Sequence, residues 1–187
     1  ADIKQKETNF YKEILKQLIE YDERYNLSKM IIASPAFWKE ELMKEIDDEN
    51  LKSKIILATC SSVGENAINE VIKRPETENA LKQDRISKEY KHVEELFAEI
   101  SKSNLASYGL KETKNAAIAG AVKTLLITDN FIQQKRMEDK YENIENIMKT
   151  VDSTKSDIVI ISSEHEAGKK LDGLGGIAAI LRYKMNY

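Results

Sequence analysis

The feature that most limits how this chain can fold is a device it repeats: a charged residue, four or five apolar residues, then a small polar residue able to cap a helix. It reads KMIIAS (29–34), KIILATCSS (54–62), KTLLITD (123–129) and DIVIISS (157–163). Continuous apolar runs this short suit strands buried on both faces, as in a parallel sheet covered by helices. Helical periodicity fills the gaps. In FYKEILKQLIEYDERY (10–25), Phe10, Ile14, Leu18 and Tyr21 recur about one turn apart and predict an amphipathic helix. After Ser34, Pro35 suits a first helical turn that tolerates its missing N–H, and Phe37, Trp38, Leu42 and Met43 supply an apolar stripe. Trp38 is expected in the core, and Phe37 either there or at the surface as a partner anchor. Ser62 and Glu65 have capping-box spacing and predict a helix ending before Pro75.

The polar segment PETENALKQDRIS (75–87) marks a boundary between domains at 1–84 and 85–187, with motion expected about residues 80–87. Beyond it, KEYKHVEELFAEISKS is helical, with Tyr90, Val93, Leu96, Phe97 and Ile100 on its apolar side and His92 among charges as a solvated surface residue. Tyr108 and Gly109 break the pattern. A short helix LKETKNAAIAGA, a long helix FIQQKRMEDKYENIENIMKT and a final strand IAAILRY complete the reading. The fold class is α/β, in two α/β/α layered domains.

Charge and composition exclude several classes of function. Residues 1–84 carry 13 Lys and Arg against 17 Asp and Glu, and the remainder 16 against 15, so neither half is a basic nucleic-acid domain and any RNA contact must be local. The one cysteine, Cys60, forms no internal disulfide, and with His92 and His165 far apart in sequence no zinc-ligand spacing exists. No apolar run is long enough to span a membrane and no signal-peptide pattern opens the chain, which therefore reads as soluble and cytoplasmic. The start without Met, almost directly in a helix, suggests a piece of a longer protein.

The stretch SSEHEAGKKLDGLGGIAAILRY (162–183), with a histidine between two glutamates and four glycines behind it, raises the question of an active site or a phosphate cradle, but reads as the structural end of a fold. Ser163 and Glu166 have capping-box spacing, which puts His165 in a first helical turn. Gly173 is suited to the left-handed stop, and Gly175-Gly176 to a tight turn into the last strand. The glycine spacing matches no phosphate-binding loop. Glu164 and Glu166 diverge from His165 on a helix, so neither orients it for catalysis. Cys60, in TCSSVG, reads as a small buried residue at a strand end rather than a nucleophile.

Four ordered blocks, IIASPAFWKEEL, SSVGENAINEVIKR, SYGLKETKNAAIAGAVKTLLITDNF and ISSEHEAGKKLDGLGGIAAILRY, resemble the Pelota family, archaeal and eukaryotic relatives of class-1 release factors, in wording closest to archaeal members. The resemblance covers that family's central α/β domain and its C-terminal domain, the latter resembling ribosomal kink-turn-binding proteins. It implies ribosome rescue in no-go and non-stop decay. A non-catalytic adaptor enters a stalled ribosome with an elongation factor 1-alpha-like GTPase and helps an ABC-type ATPase split the subunits. Release factors carry Gly-Gly-Gln where this chain has Val63-Gly64-Glu65-Asn66-Ala67, so peptide release is not expected. The family's Pro-Gly-Phe motif, associated with GTPase binding, corresponds to Pro35, Ala36 and Phe37; alanine in place of glycine would strain the turn if that position needs a positive φ. Gly64, Asn66, Lys73 and Arg74 are candidate tRNA or rRNA contacts, although Lys73 and Arg74 also suit a helix C-terminus. No cofactor is expected in this chain. The alternative is a metal-dependent endoribonuclease, for which the full-length protein would use a divalent cation and an N-terminal domain absent here.

Overall fold

The structure, a computed structural model, describes residues 2–102 and 105–185, with side chains described from residue 9 onward. The chain divides into two compact units, Ala1–Asp84 and Arg85–Tyr187.

In the first unit, α1 (Asp2–Tyr25), β1 (Met30–Ser34), α2 (Trp38–Lys44), α3 (Glu49–Lys54), β2 (Ile55–Thr59) and α4 (Glu65–Ile72) follow in order. β1 and β2 pair in parallel, Met30 opposite Ile55 through Ser34 opposite Thr59. Side chains alternate across a sheet, so each strand serves two cores. Met30 and Ile55 pack with Leu15, Leu18, Ile46 and Leu51, whereas Ile31 and Ala58 pack with Cys60, Ala67 and Val71 of the α4 side. The expected stripe of α1 is displaced: Phe10 and Tyr21 are exposed, and Leu15 and Leu18 do the packing. One helical turn is 3.6 residues, and Phe10 and Tyr21 drift off the face centred on Leu15 and Leu18.

The second unit begins within α5 (Pro75–Ser101), followed by β3 (Ala106–Tyr108), α6 (Leu110–Ile118), β4 (Val122–Thr128), α7 (Asp129–Met137), α8 (Tyr141–Ser153), β5 (Asp157–Ile161), α9 (Glu166–Gly173) and β6 (Ile177–Leu181). Its sheet runs β3-β6-β4-β5, with β4 and β5 parallel and β6 antiparallel to both its neighbours. Burial on both faces explains the unbroken apolar runs. Leu125, Ile127, Ile177, Ala179 and Leu181 face a core with α6 and α8, while Leu126, Ala178 and Ile180 face one with Val93 and Leu96 of α5 and Leu171 of α9. Each fully buried Leu or Ile contributes about 1.5–3 kcal/mol.

Several expectations are corrected. The helix expected after residue 87 already starts at Pro75, so the division between the units at Asp84 and Arg85 falls inside it, because a polar stretch without Gly or interior Pro supports a solvated helix as readily as a loop. The three-residue β3 is too short to show a period. The single long helix expected over 131–150 is two. Asp139 adopts φ 54°, Lys140 N–H donates to Lys135 O, and Asp139 N–H donates to Arg136 O, a Schellman closure of α7 with aspartate in the left-handed position. Neither expected capping box forms: α4 is capped by Gly64, and α9 by His165 itself, whose Nδ1 accepts from Gly168 N–H. The stop glycine of α9 is Gly175 at φ 100°, not Gly173, with Gly176 N–H returning to Leu171 O. Among the described residues no helix is long and apolar enough to cross a membrane.

Candidate functional site

At the end of β1 the chain must reverse into α2 within three residues, and Pro35, Ala36 and Phe37 make that turn. Pro35 lies in the turn and not in the first helical turn, since α2 starts at Trp38. The Ser34 hydroxyl still reaches forward, accepting from Lys39 N–H at 3.0 Å. Ala36 sits at φ 49°, the left-handed region, where a Cβ costs about 1–2 kcal/mol. Phe37 consequently points outward and is 76% exposed. Trp38 is not in the core: at the first residue of α2 it is half exposed, 6.5 Å from the ring of Tyr11. Pro35, Trp38, Tyr11, Ile14 and Val63 line an open groove of about 530 Å³.

A buried cation holds this turn. Lys39 is only 6% exposed, donates from Nζ to Ala36 O at 2.9 Å and pairs with Glu40 at 3.1 Å. Burial raises the Glu40 carboxyl, but the Lys39 hydrogen bond and charge outweigh it and keep the group below the ordinary glutamate value.

The loop before α4 has a clamp of opposite sign. Glu70 accepts from Ser61 N–H at 2.9 Å and from its hydroxyl at 2.7 Å, and Arg74 donates to the other oxygen at 2.6 Å. These bonds, the Ser61 amide first, hold the Glu70 carboxyl below its usual range. Gly64 at φ 116° is open to solvent, Val63 is 85% exposed, and Asn66 is exposed. The candidate RNA contacts are not brought together. Gly64 and Asn66 lie at the start of α4 and Lys73 and Arg74 at its end, about 12 Å away for an eight-residue helix, and Arg74 is committed to Glu70.

In the second unit, His165 acquires the orienting carboxylate that its sequence neighbours cannot provide. Glu89 of α5, 3% exposed, meets His165 Nε2 at 2.6 Å and accepts from Ser162 N–H at 2.9 Å and Arg85 Nε at 2.6 Å. Since Nδ1 accepts from Gly168 N–H, the ring proton belongs on Nε2, donated to Glu89. Tyr90 stacks on the ring at 5.1 Å. Burial raises Glu89, yet Arg85, the Ser162 amide and His165 together hold it below the ordinary value. Asp129 is likewise raised by burial but lowered further by bonds from Ser163 and Asn130. With both imidazole nitrogens engaged, the cluster braces the loop between β5 and α9. It has no free base to offer a nucleophile.

Among the described residues no three His, Cys, Asp or Glu side chains come together to hold a metal ion. Cys60 is buried. Sequence reasoning missed Lys39, Glu70 and Glu89. Glu70 and Glu89 carried a signal, the i,i+4 spacing to Arg74 and Arg85, and that pattern is common on any solvated helix.

Residues 2–83 match the family model described as eRF1 domain 2, and residues 86–185 match eRF1 domain 3. A protein pelota homolog of Pyrococcus furiosus is 39% identical over 181 residues, covering 96% of this chain and 50% of that protein. Among solved structures, ribosome-bound archaeal Pelota, described together with ABCE1, is 35% identical with a TM-score of 0.68 over 96% of this chain and 50% of its own. Saccharomyces cerevisiae Dom34, a translation termination-like factor involved in RNA quality control and interacting with Hbs1, is 31% identical with a TM-score of 0.59, covering 95% of this chain and 53% of its own. The chain spans about half the length of these relatives.

Proposed function

The chain belongs to the eRF1 family through two of that family's domains, and on this premise we propose that it works in ribosome rescue, as a non-catalytic adaptor that brings an elongation-factor-like GTPase to stalled ribosomes in the cytoplasm. The similar archaeal Pelota was solved on the ribosome with ABCE1, and Dom34 interacts with Hbs1. The corresponding partners proposed here are the ribosome, an elongation factor 1-alpha-like GTPase and an ABC-type ATPase that drives subunit dissociation in no-go and non-stop mRNA surveillance. No cofactor is assigned to these residues.

The observation that carries the reading is Phe37. A large aromatic ring left 76% exposed, on a turn held in a costly backbone conformation, is better suited to a protein partner than to solvent. Release of a peptide is not part of the proposal. The loop at 63–67 has no glutamine, and the chain's one Gly-Gly pair, Gly175-Gly176, is followed by Ile177. Gly64 and Asn66 at the start of α4, and Lys73 at its end, all exposed, are the residues we assign to two separate RNA contacts. The test is the affinity of elongation factor 1-alpha with GTP for this chain and for Phe37→Ala. Loss of a central aromatic anchor costs roughly 2 kcal/mol or more, about a thirtyfold weakening. Equal binding by the two proteins would remove Phe37 from the interface.

A further inference from the structure

We infer that Lys39 is the positioning residue of the Phe37 turn: its buried ammonium holds Ala36 in the left-handed conformation that glycine would adopt unaided, and so presents the aromatic ring. The inference rests on the docking role proposed for Phe37. Three observations converge on it. Ala36 is at φ 49°. The carbonyl of that same residue accepts from Lys39 Nζ at 2.9 Å. Lys39 is almost fully buried, although a lysine one residue into an exposed helix start would ordinarily extend into water. Burying an ammonium is unfavourable unless it is paired and hydrogen-bonded, and its partners here are the strained turn's carbonyl and Glu40. The Ser34 hydroxyl bonded to Lys39 N–H closes the turn from the strand side, so the main chain and side chain of this one residue bind the residue before Pro35 and the middle of Pro35-Ala36-Phe37.

The consequence is a specific coupling. Lysine matters at position 39 because alanine stands at position 36, and a glycine there makes the clamp dispensable. Lys39→Met keeps the apolar stem and removes the donor; Ala36→Gly removes the strain. Affinity for elongation factor 1-alpha with GTP is measured for the wild type, each single variant, the double variant and Phe37→Ala. The Cα chemical shift of residue 36, and its Cβ shift where it is alanine, report its backbone conformation and are recorded in the same proteins without partner. Lys39→Met should weaken binding about tenfold, the factor set by the cost of a left-handed alanine, and move the residue 36 shifts out of the left-handed range. The double variant should recover to within about threefold of the wild type. Unchanged shifts and unchanged affinity in Lys39→Met overturn the inference, as does a double variant no better than the single one. Should Lys39→Met fail to fold, folding of the double variant supports the clamp, and failure of both assigns the lysine to general packing and overturns it. If Phe37→Ala binds normally, the docking role fails, and the shifts alone then decide whether Lys39 holds the turn.

Discussion

Replacing Glu89 by leucine tests whether the buried carboxylate braces the loop between β5 and α9. Glu89 is 3% exposed and accepts three hydrogen bonds, from Ser162 N–H, His165 Nε2 and Arg85 Nε. Arg85 is 64% exposed and would rehydrate, so losing it costs little. Ser162 N–H and the ring N–H of His165 are only partly exposed, and a buried donor left without an acceptor costs about 1–3 kcal/mol. Partial burial of the leucine offsets some of this, giving an expected loss of about 3 kcal/mol, near the lower end for breaking a buried pair. Glu89→Gln keeps one acceptor oxygen and should lose about 1–2 kcal/mol. Urea unfolding followed by far-ultraviolet circular dichroism measures the loss. Hydrogen exchange at residues 162–168 locates it, while Trp38, the one tryptophan, reports on the first unit. The pH dependence follows from the same contacts. A carboxyl held below its ordinary value stabilises the fold at pH above that value, about 4.3, and the contribution disappears as the pH falls through it to the lower folded value. Wild type should therefore lose more stability than Glu89→Gln on acidification across this window. A leucine variant with an unchanged urea midpoint and unchanged exchange at Ser162 and Gly168 would refute the bracing role.

Gly168→Ala should be severely destabilising, by about 3 kcal/mol or more, because an added Cβ would lie 1.9 Å from the Ser162 carbonyl oxygen, a backbone atom that cannot move aside; thermal unfolding of the second unit measures this. Asp139→Gly should stabilise by about 0.5–1 kcal/mol, since residue 139 closes α7 at φ 54° and glycine adopts that conformation without a side-chain penalty. A lower urea midpoint in the glycine variant would contradict the Schellman assignment.

The strands were legible because burial on both faces leaves a mark in the sequence that few other environments leave. Leu125, Leu126 and Ile127 serve alternating cores and are all apolar, so the run itself announces the strand. Helix ends were less legible. Ser163 and Glu166 have the spacing of a capping box, yet Ser163 N–H is bound by Asp129 across the sheet and the cap passes to His165, whose Nδ1 faces Gly168 N–H. A spacing rule considers one segment at a time, and the competing bond came from 34 residues away. The break between α7 and α8 was hidden for a different reason: aspartate occupies the left-handed position where glycine would have signalled the stop.

Lys39, Glu70 and Glu89 share both their illegibility and its cause. Each is a charged residue on a helix, the type and place that usually denote a solvated face, and each instead reaches back to a loop leaving a strand: Lys39 to the turn after β1, Glu70 to Ser61 after β2, and Glu89 to Ser162 after β5. These loops follow the carboxyl ends of parallel strands, where open α/β sheets place their binding surfaces, and they expose backbone groups that no ladder or helix satisfies. A charged partner suits that position, since a hydrogen bond with one ionised member is roughly twice as strong as a neutral one. One side chain can then satisfy several groups, as Glu89 does for an amide, an imidazole and a guanidinium. The same economy makes such loops sensitive to single substitutions on the helix that braces them. The conformation of Phe37 therefore depends on Lys39 and Ala36 as a pair, and altering either one alone is expected to misjudge what the other contributes.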